Sequence, residues 1–324
     1  MSAGMASRDG NGWVRCQLGH RHWGRYGAAG LLAYVAEGPV LLQRRTWWSH
    51  HGGTWGLPGG ARDSHESAVA GALREAAEEC GVPPDAVRQR GLFTDDHGGW
   101  SYTTVLAEAA TPFAVQSDDD ETDEVAWVPL AGVTALDLHP GLAAHWEELL
   151  AELTPVTIIV DGANVVGSRP DGWWRDRAGA ALRLRDQLAP LVTEGIAELP
   201  AGLDAPAGMP VVATAVAPAL AVDAPPDRAT RRGIAGMADG LIRMQWLPDI
   251  FLVVEGAAKP VAAQSGASPV QVMAASGSGD DTIAALAGNT TGRRIVVTAD
   301  RELRQRCLAA GAAVAGPGWL LGLL

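Results

Sequence analysis

Glu75, Glu78 and Glu79 stand close together in the run Arg74-Glu75-Ala76-Ala77-Glu78-Glu79-Cys80-Gly81-Val82. The residues around them carry helix signals. Asp63 with Glu66 three positions on has capping-box spacing, so a helix is expected to begin there. Gly81, followed by Pro83 and Pro84, ends it. Between these marks Val69, Leu73, Ala76 and Cys80 recur at four- and three-residue steps, one apolar stripe for a core. At about 100° per residue the three glutamates share a face roughly opposite that stripe. Like charges at this spacing repel by a few tenths of a kcal/mol per pair, so something must offset them. A hard divalent cation with oxygen ligands does so, and Mg²⁺ (or Mn²⁺) bridging to a substrate phosphate is its usual use. Arg74 then holds the neighbouring carboxylates in position. For an isolated Glu-Glu pair a solvated acidic face is the plainer account.

The whole pattern is more specific than that pair. Gly60, Glu66, Arg74-Glu75, Glu78-Glu79, Gly81 and Val82, with the lead-in Gly53-Thr54-Trp55-Gly56-Leu57-Pro58-Gly59-Gly60, resemble the Nudix box position for position. The resemblance implies an α/β/α sandwich that hydrolyses a nucleoside diphosphate linked to another group. It further implies that Glu75, Glu78 and Glu79 bind the metals with help from the Gly59 carbonyl. Arg74 and Glu66 support them, and Gly60 and Gly81 shape the loop and the helix end. By the same analogy a further acidic base comes from outside the box. The run Asp118-Asp119-Asp120-Glu121-Thr122-Asp123-Glu124 offers Glu121 first and Glu124 second.

A second set of acids follows apolar runs in the other half. Val156–Val160 leads to Asp161-Gly162-Ala163-Asn164, Phe251–Val254 to Glu255, Val270–Ala274 to Asp280-Asp281, and Ile295–Ala299 to Asp300. Continuous apolar runs of this length are the pattern of strands buried on both faces, and α/β sheets bind ligands at their carboxyl ends. Asp-Gly is also a turn, and Asp281 or Asp300 could equally cap a helix. Four converging carboxylates suit a metal cluster for in-line displacement at a phosphodiester. The pattern resembles NYN/PIN-like ribonuclease domains, with Asp-Gly-x-Asn after the first strand, an Asp-Asp element, and Thr298–Leu303. Glu255 stands where Asp is more usual there. Arg301 and Arg304 would share a helix face and reach phosphate.

These residues need two scaffolds. In the first half Ala28–Val35, Val40–Arg45, Trp100–Ala107 and Val125–Pro129 read as strands and Gly141–Leu153 as a helix. Thr154-Pro155 ends it, giving domains at 1–154 and 155–324. In the second, strands alternate with helices near Arg175–Val192, Asp281–Gly288 and Asp300–Ala310, which argues for a parallel sheet. An Ala/Pro-rich stretch, Glu198–Pro226, reads as an insertion or mobile loop. The fold class is therefore α/β, a mixed-sheet Nudix-type sandwich followed by a PIN-like domain with a parallel sheet.

Length and composition agree. The 324 residues are 47% hydrophobic and 19% charged, enough for two cores and too apolar for disorder. Residues 1–154 hold 10 Arg against 21 Asp and Glu, so this half is a poor general nucleic-acid binder. Residues 155–324 are near neutral, with Arg228, Arg231 and Arg232 clustered, and stay permissive for RNA. Three scattered cysteines argue for a reducing compartment, and no stretch is a credible membrane span, so a cytoplasmic protein is expected. Cys16, His20 and His22 have metal-ligand character but no fourth ligand nearby, and are read as non-zinc. Trp47, Trp48 and Trp100 could stack a base but more plainly pack, and Asp95–Gly99 reads as a polar turn. The expected activity is a metal-dependent pyrophosphohydrolase with a second, ribonuclease-type domain acting on RNA ends. The alternative is a small-nucleotide pyrophosphatase whose second domain only binds or regulates. Oligomeric state is open.

Overall fold

The computed structural model describes residues 8–117, 121–200, 203, 240–264, 266 and 268–324. They form two compact units. One holds residues up to Leu153 together with Gly240–Met244, and the other runs from Thr154 and resumes at Gln245.

The first unit is built around β3 (Ala28–Val35), an apolar strand with both faces covered. It is preceded by a small hairpin, β1 (Trp13–Arg15) and β2 (Arg21–Trp23). Next in order come β4 (Pro39–Arg45), β5 (Trp55–Gly56), β6 (Gly59–Ala61), helix α1 (Ala68–Cys80), β7 (Val87–Asp96), β8 (Ser101–Ala109) and β9 (Thr122–Pro129). Helices α2 (Leu130–Val133) and α3 (Pro140–Ala151) complete the unit. β3 runs parallel to β8 and antiparallel to β4 and β6, so the sheet is mixed. The strand at Leu241–Trp246 lies beside β7 in this sheet. Alternation along β3 sends Ala29, Leu31 and Ala33 into a core with Ala72, Ala76 and Cys80 of α1. Leu32 and Tyr34 face the other way, against Leu142, Trp146 and Leu149 of α3. The period of two is what lets one strand serve both layers.

Helix α1 starts later than its capping-box spacing suggests. Ser67 is the N-cap and accepts from Ala70 N–H, because the Asp63 carboxylate is already taken by the Gly10 N–H at 2.8 Å. Gly81 ends the helix with φ 65°, a conformation that costs glycine nothing.

In the second unit β10 (Val156–Asp161), β12 (Asp249–Val254), β13 (Gln271–Ala274), β14 (Arg293–Val297) and β15 (Ala313–Ala315) form an all-parallel sheet, β11 being Leu241–Trp246. Their order is β13-β12-β10-β14-β15, so the chain reverses direction across the sheet between β10 and β14. Helices α4 (Gly162–Gly167) and α5 (Arg177–Thr193) precede the β11 strand. Helices α6 (Gly279–Asn289), α7 (Arg301–Ala309) and α8 (Pro317–Leu323) follow β13. One face packs Ile158 and Val160 against Leu184 and Leu188, the other packs Ile159 against Ile283 and Leu303. Of the Ala/Pro-rich stretch 198–226, all but a few leading residues lies outside the described residues, as do Arg228, Arg231, Arg232 and Asp118–Asp120. Cys16, Cys80 and Cys307 are buried and form no disulfide with one another. Among the described residues no helix is long and apolar enough to cross a membrane.

Candidate active site

Strand pairing sets the site. β6 lies antiparallel to β3 with Gly59 opposite Gly30 and Gly60 opposite Ala29. A Cβ on Gly59 would meet the β3 backbone at 2.5 Å, and one on Gly60 would meet the Glu75 carboxylate at 2.8 Å. Both glycines are therefore required by close approach, one of backbone and one of the carboxylate.

Arg74 organises the glutamates. Its Nε donates to Glu66 Oε1 at 2.7 Å and its Nη2 to Glu66 Oε2 at 2.9 Å, a bidentate pair. Nη1 donates to Glu75 Oε1 at 2.8 Å and Glu78 Oε2 at 3.2 Å, and Nη2 also reaches the Ala61 carbonyl at 3.1 Å. Glu66 Oε2 in turn accepts the Asp63 N–H at 3.0 Å. The Arg74 bond holds Glu66 below the usual carboxylate range. Burial pushes Glu75 up, Arg74 partly offsets it, and Glu78 adds to it. Glu78 is more open and also takes Arg8 Nη2 at 2.7 Å.

Glu79 departs from the expected face. It is buried, beside the apolar stripe rather than opposite it, and its Oε2 accepts the Gly59 N–H at 2.8 Å and Gln43 Nε2 at 3.0 Å. These donors make burial of a carboxylate tolerable. Gln43 Oε1 accepts from Thr122 Oγ1 and Cys80 Sγ, so a chain of buried polar groups fixes Glu79. Gln43 gave no signal in sequence because its side-chain partners come from two other elements, α1 and β9, far from it along the chain. Of the expected bases, Glu124 pairs with Arg44 at 3.4 Å, while Glu121 is exposed and its carbonyl accepts the Thr46 N–H.

The donors Glu75, Glu78, Glu79 and the Gly59 carbonyl are all oxygens, and Glu75 and Glu78 raise each other's need for positive charge. That donor set suits a hard divalent cation.

Beside this network lies a cavity of about 160 Å³ lined by Gly59, Phe93, Asp95, Tyr102, His139 and His145 among others. Gly59 belongs to both. Burial, then the Asp95 bond's neighbours, set the charges here. Burial pushes Asp95 up, but bonds from His145 and His97 outweigh it and hold it below the usual range. Its Oδ1 is buried without a hydrogen-bond partner. Burial takes His139 down to about 3, and its Nδ1 accepts the Gly141 N–H at 3.2 Å, leaving a neutral ring with its proton on Nε2.

His145 is pushed up to about 9, first by Asp95 Oδ2 at 3.5 Å and then, against burial, by Glu148 Oε2 at 2.9 Å. A raised histidine stabilises the fold fully below about pH 6.5 and loses that contribution as pH climbs through about 9. His145→Gln is expected to lower Tm by a few degrees near pH 6 and to leave it unchanged near pH 10. Melting curves across that range check it.

Asp95–Gly99 is more than a turn, since Asp95 and His97 are buried and line the cavity. Trp100 lines it too, but one face is covered by His22 at 3.9 Å. Trp47 and Trp48 are exposed. Cys16, His20 and His22 do have a fourth neighbour, His97, contributed by the turn between β7 and β8. Burial, then His97 and His20, takes His22 down to about 4.

The NUDIX domain model matches residues 24–150. The chain is 45% identical over 160 residues to "Putative 8-oxo-dGTP diphosphatase 3" of Mycobacterium tuberculosis, covering 46% of this chain and 72% of that protein. The chain belongs to the Nudix family. This Nudix hydrolase is also 40% identical over 155 residues to a "Nucleoside triphosphate pyrophosphatase/Nudix hydrolase fusion protein" of Bifidobacterium longum, covering 45% of this chain and 32% of that one. Among solved structures it resembles a Nudix hydrolase from M. smegmatis, RenU, at 47% identity, covering 44% and 93% of the two chains with a TM-score of 0.40. Members of this class act on pyrophosphate bonds.

In the second unit Asp161, which ends β10 and caps α4 by accepting the Asn164 N–H, also accepts from the buried Thr298 Oγ1 at 2.8 Å. Asn164 Oδ1 accepts the Ala299 N–H, and Glu255 Oε2 the Gly279 N–H. Burial pushes Asp161 up, with Asp280 and Glu255 adding to it; burial also pushes Asp280 up, with Asp300 and Glu255 adding. Asp300 caps α7 through the Leu303 N–H. Asp281 stands apart, highly exposed and bonded to Arg306 at 2.7 Å, because it projects along α6 toward α7. Arg304 is half-buried and bonds the Thr298 carbonyl, whereas Arg301 is exposed.

Proposed function

We propose that the first unit is a Mg²⁺- or Mn²⁺-dependent diphosphatase for nucleoside triphosphates with an oxidised purine base. The shared position of Gly59 carries this reading. Its N–H bonds Glu79 while the residue lines the cavity, so a base in the cavity leaves its phosphates at the carboxylates. Glu75, Glu78, Glu79 and the Gly59 carbonyl would hold the cation. When bound, it polarises the phosphoryl oxygens and lowers the pKa of an attacking water. Arg74 orients Glu75 and Glu78, and the Gln43 chain keeps Glu79 aimed. Glu121 is the proposed acceptor of the water proton, with Glu124, which pairs with Arg44, as the second candidate.

The base preference is proposed from the relative of M. tuberculosis, whose name is that of a putative 8-oxo-dGTP diphosphatase. Asp95 lines the cavity, but its Oδ1 is covered by Gly240 and is not offered to a base. A panel of 8-oxo-dGTP, dGTP, ADP-ribose and nucleotide sugars tests it. The oxidised triphosphate is expected to be turned over with kcat/KM at least about 100-fold above dGTP. Equal rates would remove the preference for an oxidised base.

We also propose that the second unit is a NYN/PIN-like, metal-dependent ribonuclease domain. Supporting this are Asp161, Glu255, Asp280 and Asp300, whose charges act on one another at the strand ends where the sheet order reverses. Asn164 positions the loop after β14. In this reading the chain acts on RNA ends. 5′-triphosphate RNA given to the intact protein and to Asp161→Asn/Asp280→Asn separates the alternatives. Cleavage lost in the variant supports a nuclease. RNA binding without cleavage makes this unit a binding or regulatory module.

A further inference from the structure

A second metal chemistry lies away from the carboxylates. Between β1 and β2 the Cys16 N–H donates to the His20 carbonyl at 3.1 Å and the Gly19 N–H to the Cys16 carbonyl at 3.0 Å. Gly19 takes φ 85°, which closes this tight turn and brings Cys16 and His20 side by side. His22 follows on β2. The turn between β7 and β8 approaches from the sheet, tied to the first by the Gln17 N–H to the Gly98 carbonyl at 2.8 Å, and supplies His97.

One ligand-type atom from each of Cys16, His20, His22 and His97 lies within 4.8 Å of all the others. Cys16 Sγ is 4.0 Å from His97 Nδ1. Cys16, His22 and His97 are 6%, 8% and 2% exposed. His20 Nδ1 and His22 Nε2 are buried with no hydrogen-bond partner, an arrangement that costs about 1–3 kcal/mol per group unless something satisfies it. Four soft or borderline donors, three nitrogens and one sulfur, match tetrahedral Zn²⁺. Bond lengths of about 2.0–2.1 Å to nitrogen and 2.3 Å to sulfur place such donors roughly 3.3–3.6 Å apart, within a side-chain adjustment of the spacing seen.

The surroundings are those of a ligand set. His97 Nε2 meets Asp95 Oδ2 at 2.9 Å, so a buried carboxylate fixes the proton there and turns Nδ1 toward the cluster. The His22 ring lies flat on Trp100, 8° from parallel, and Trp100 Nε1 donates to the Trp23 carbonyl at 3.1 Å.

We propose that Cys16, His20, His22 and His97 bind one structural Zn²⁺ that clamps the β1–β2 hairpin to the β7–β8 turn. Four protein ligands close the coordination sphere, which makes the ion structural and not hydrolytic. Binding releases the Cys16 thiol proton to solvent and forms a zinc–thiolate bond. His22, His97 and Trp100 also line the cavity, so the ion would rigidify its wall. The site is independent of the carboxylate centre, whose oxygens favour harder ions.

The test uses the full chain, purified under reducing conditions and dialysed against Zn²⁺ and then against metal-free buffer. Elemental analysis is expected to find one zinc per chain, retained in Glu75→Gln and lost in Cys16→Ser and His97→Gln. Should those variants fail to fold, X-ray absorption of the zinc-loaded wild-type chain decides, with one sulfur at about 2.3 Å and three nitrogens at about 2.0 Å expected. The Co²⁺ form should show a thiolate-to-metal absorption band. Substoichiometric zinc after loading, an all-oxygen shell, or full zinc retention in folded Cys16→Ser would overturn the proposal.

Discussion

Glu75→Gln is expected to lower kcat by at least the roughly 10–100-fold that loss of a metal site's outer partners costs, while Tm stays level or rises. The two effects separate because Glu75 is placed for chemistry at the expense of folding. Burial pushes its carboxyl up, and Glu78 adds to that, so the ionised form is disfavoured in the folded chain relative to the unfolded one. A carboxyl raised on folding destabilises above its unfolded pKa, and removing its charge relieves this as pH rises from about 4. The Tm difference should therefore favour the variant most at neutral pH and vanish in acid. Steady-state rates with saturating Mg²⁺ and melting curves from pH 4 to 8 check both halves. A variant with kcat within threefold of wild type would remove Glu75 from the site.

Arg74→Met is expected to lose on both counts. The guanidinium serves Glu66 in a bidentate pair, Glu75, Glu78 and the Ala61 carbonyl, and its side chain is 24% exposed. Its removal leaves Glu66 and Glu75, 10% and 14% exposed, without their cation. Stranding partners of a buried pair costs about 3–5 kcal/mol, and partial exposure reduces this to roughly 2–3. Tm should fall by about 5–10 °C. Activity falls as well, since Glu75 and Glu78 lose their orientation. Arg74→Lys should recover little, because a point charge cannot reproduce the fork that holds Glu66. Full rescue by lysine would show that charge alone suffices.

What the sequence disclosed follows the range of the interactions. The box glutamates, Arg74 and the αL end at Gly81 are local, so spacing alone places them on one helix. The start of α1 shifted to Ser67 because Gly10, far away in sequence, claims the Asp63 carboxylate. Glu79 looked solvent-facing by helical angle, yet Gly59 and Gln43 draw it inward from two other strands. His97 is invisible beside Cys16 until the β7–β8 turn is laid against the β1–β2 hairpin. β7 itself escaped notice because Val87–Asp96 mixes exposed and buried positions without a clean apolar run. The cavity was equally hidden, its lining running from His22 to Leu149. In the second unit the strand-end acids were legible because parallel strands buried on both faces read as apolar blocks. Side-chain direction was not legible, and Asp281 turned to Arg306.

The account stands on phosphoric anhydride cleavage at the Arg74–Glu79 face. Phosphorus NMR of 8-oxo-dGTP hydrolysis in isotopically labelled water, with Mg²⁺ present, tests it most directly. The predicted products are the nucleoside monophosphate and pyrophosphate, formed by wild-type protein and by Asp161→Asn, and suppressed in Glu75→Gln. Hydrolysis that survives Glu75→Gln, or no hydrolysis by wild type at millimolar Mg²⁺, would contradict it.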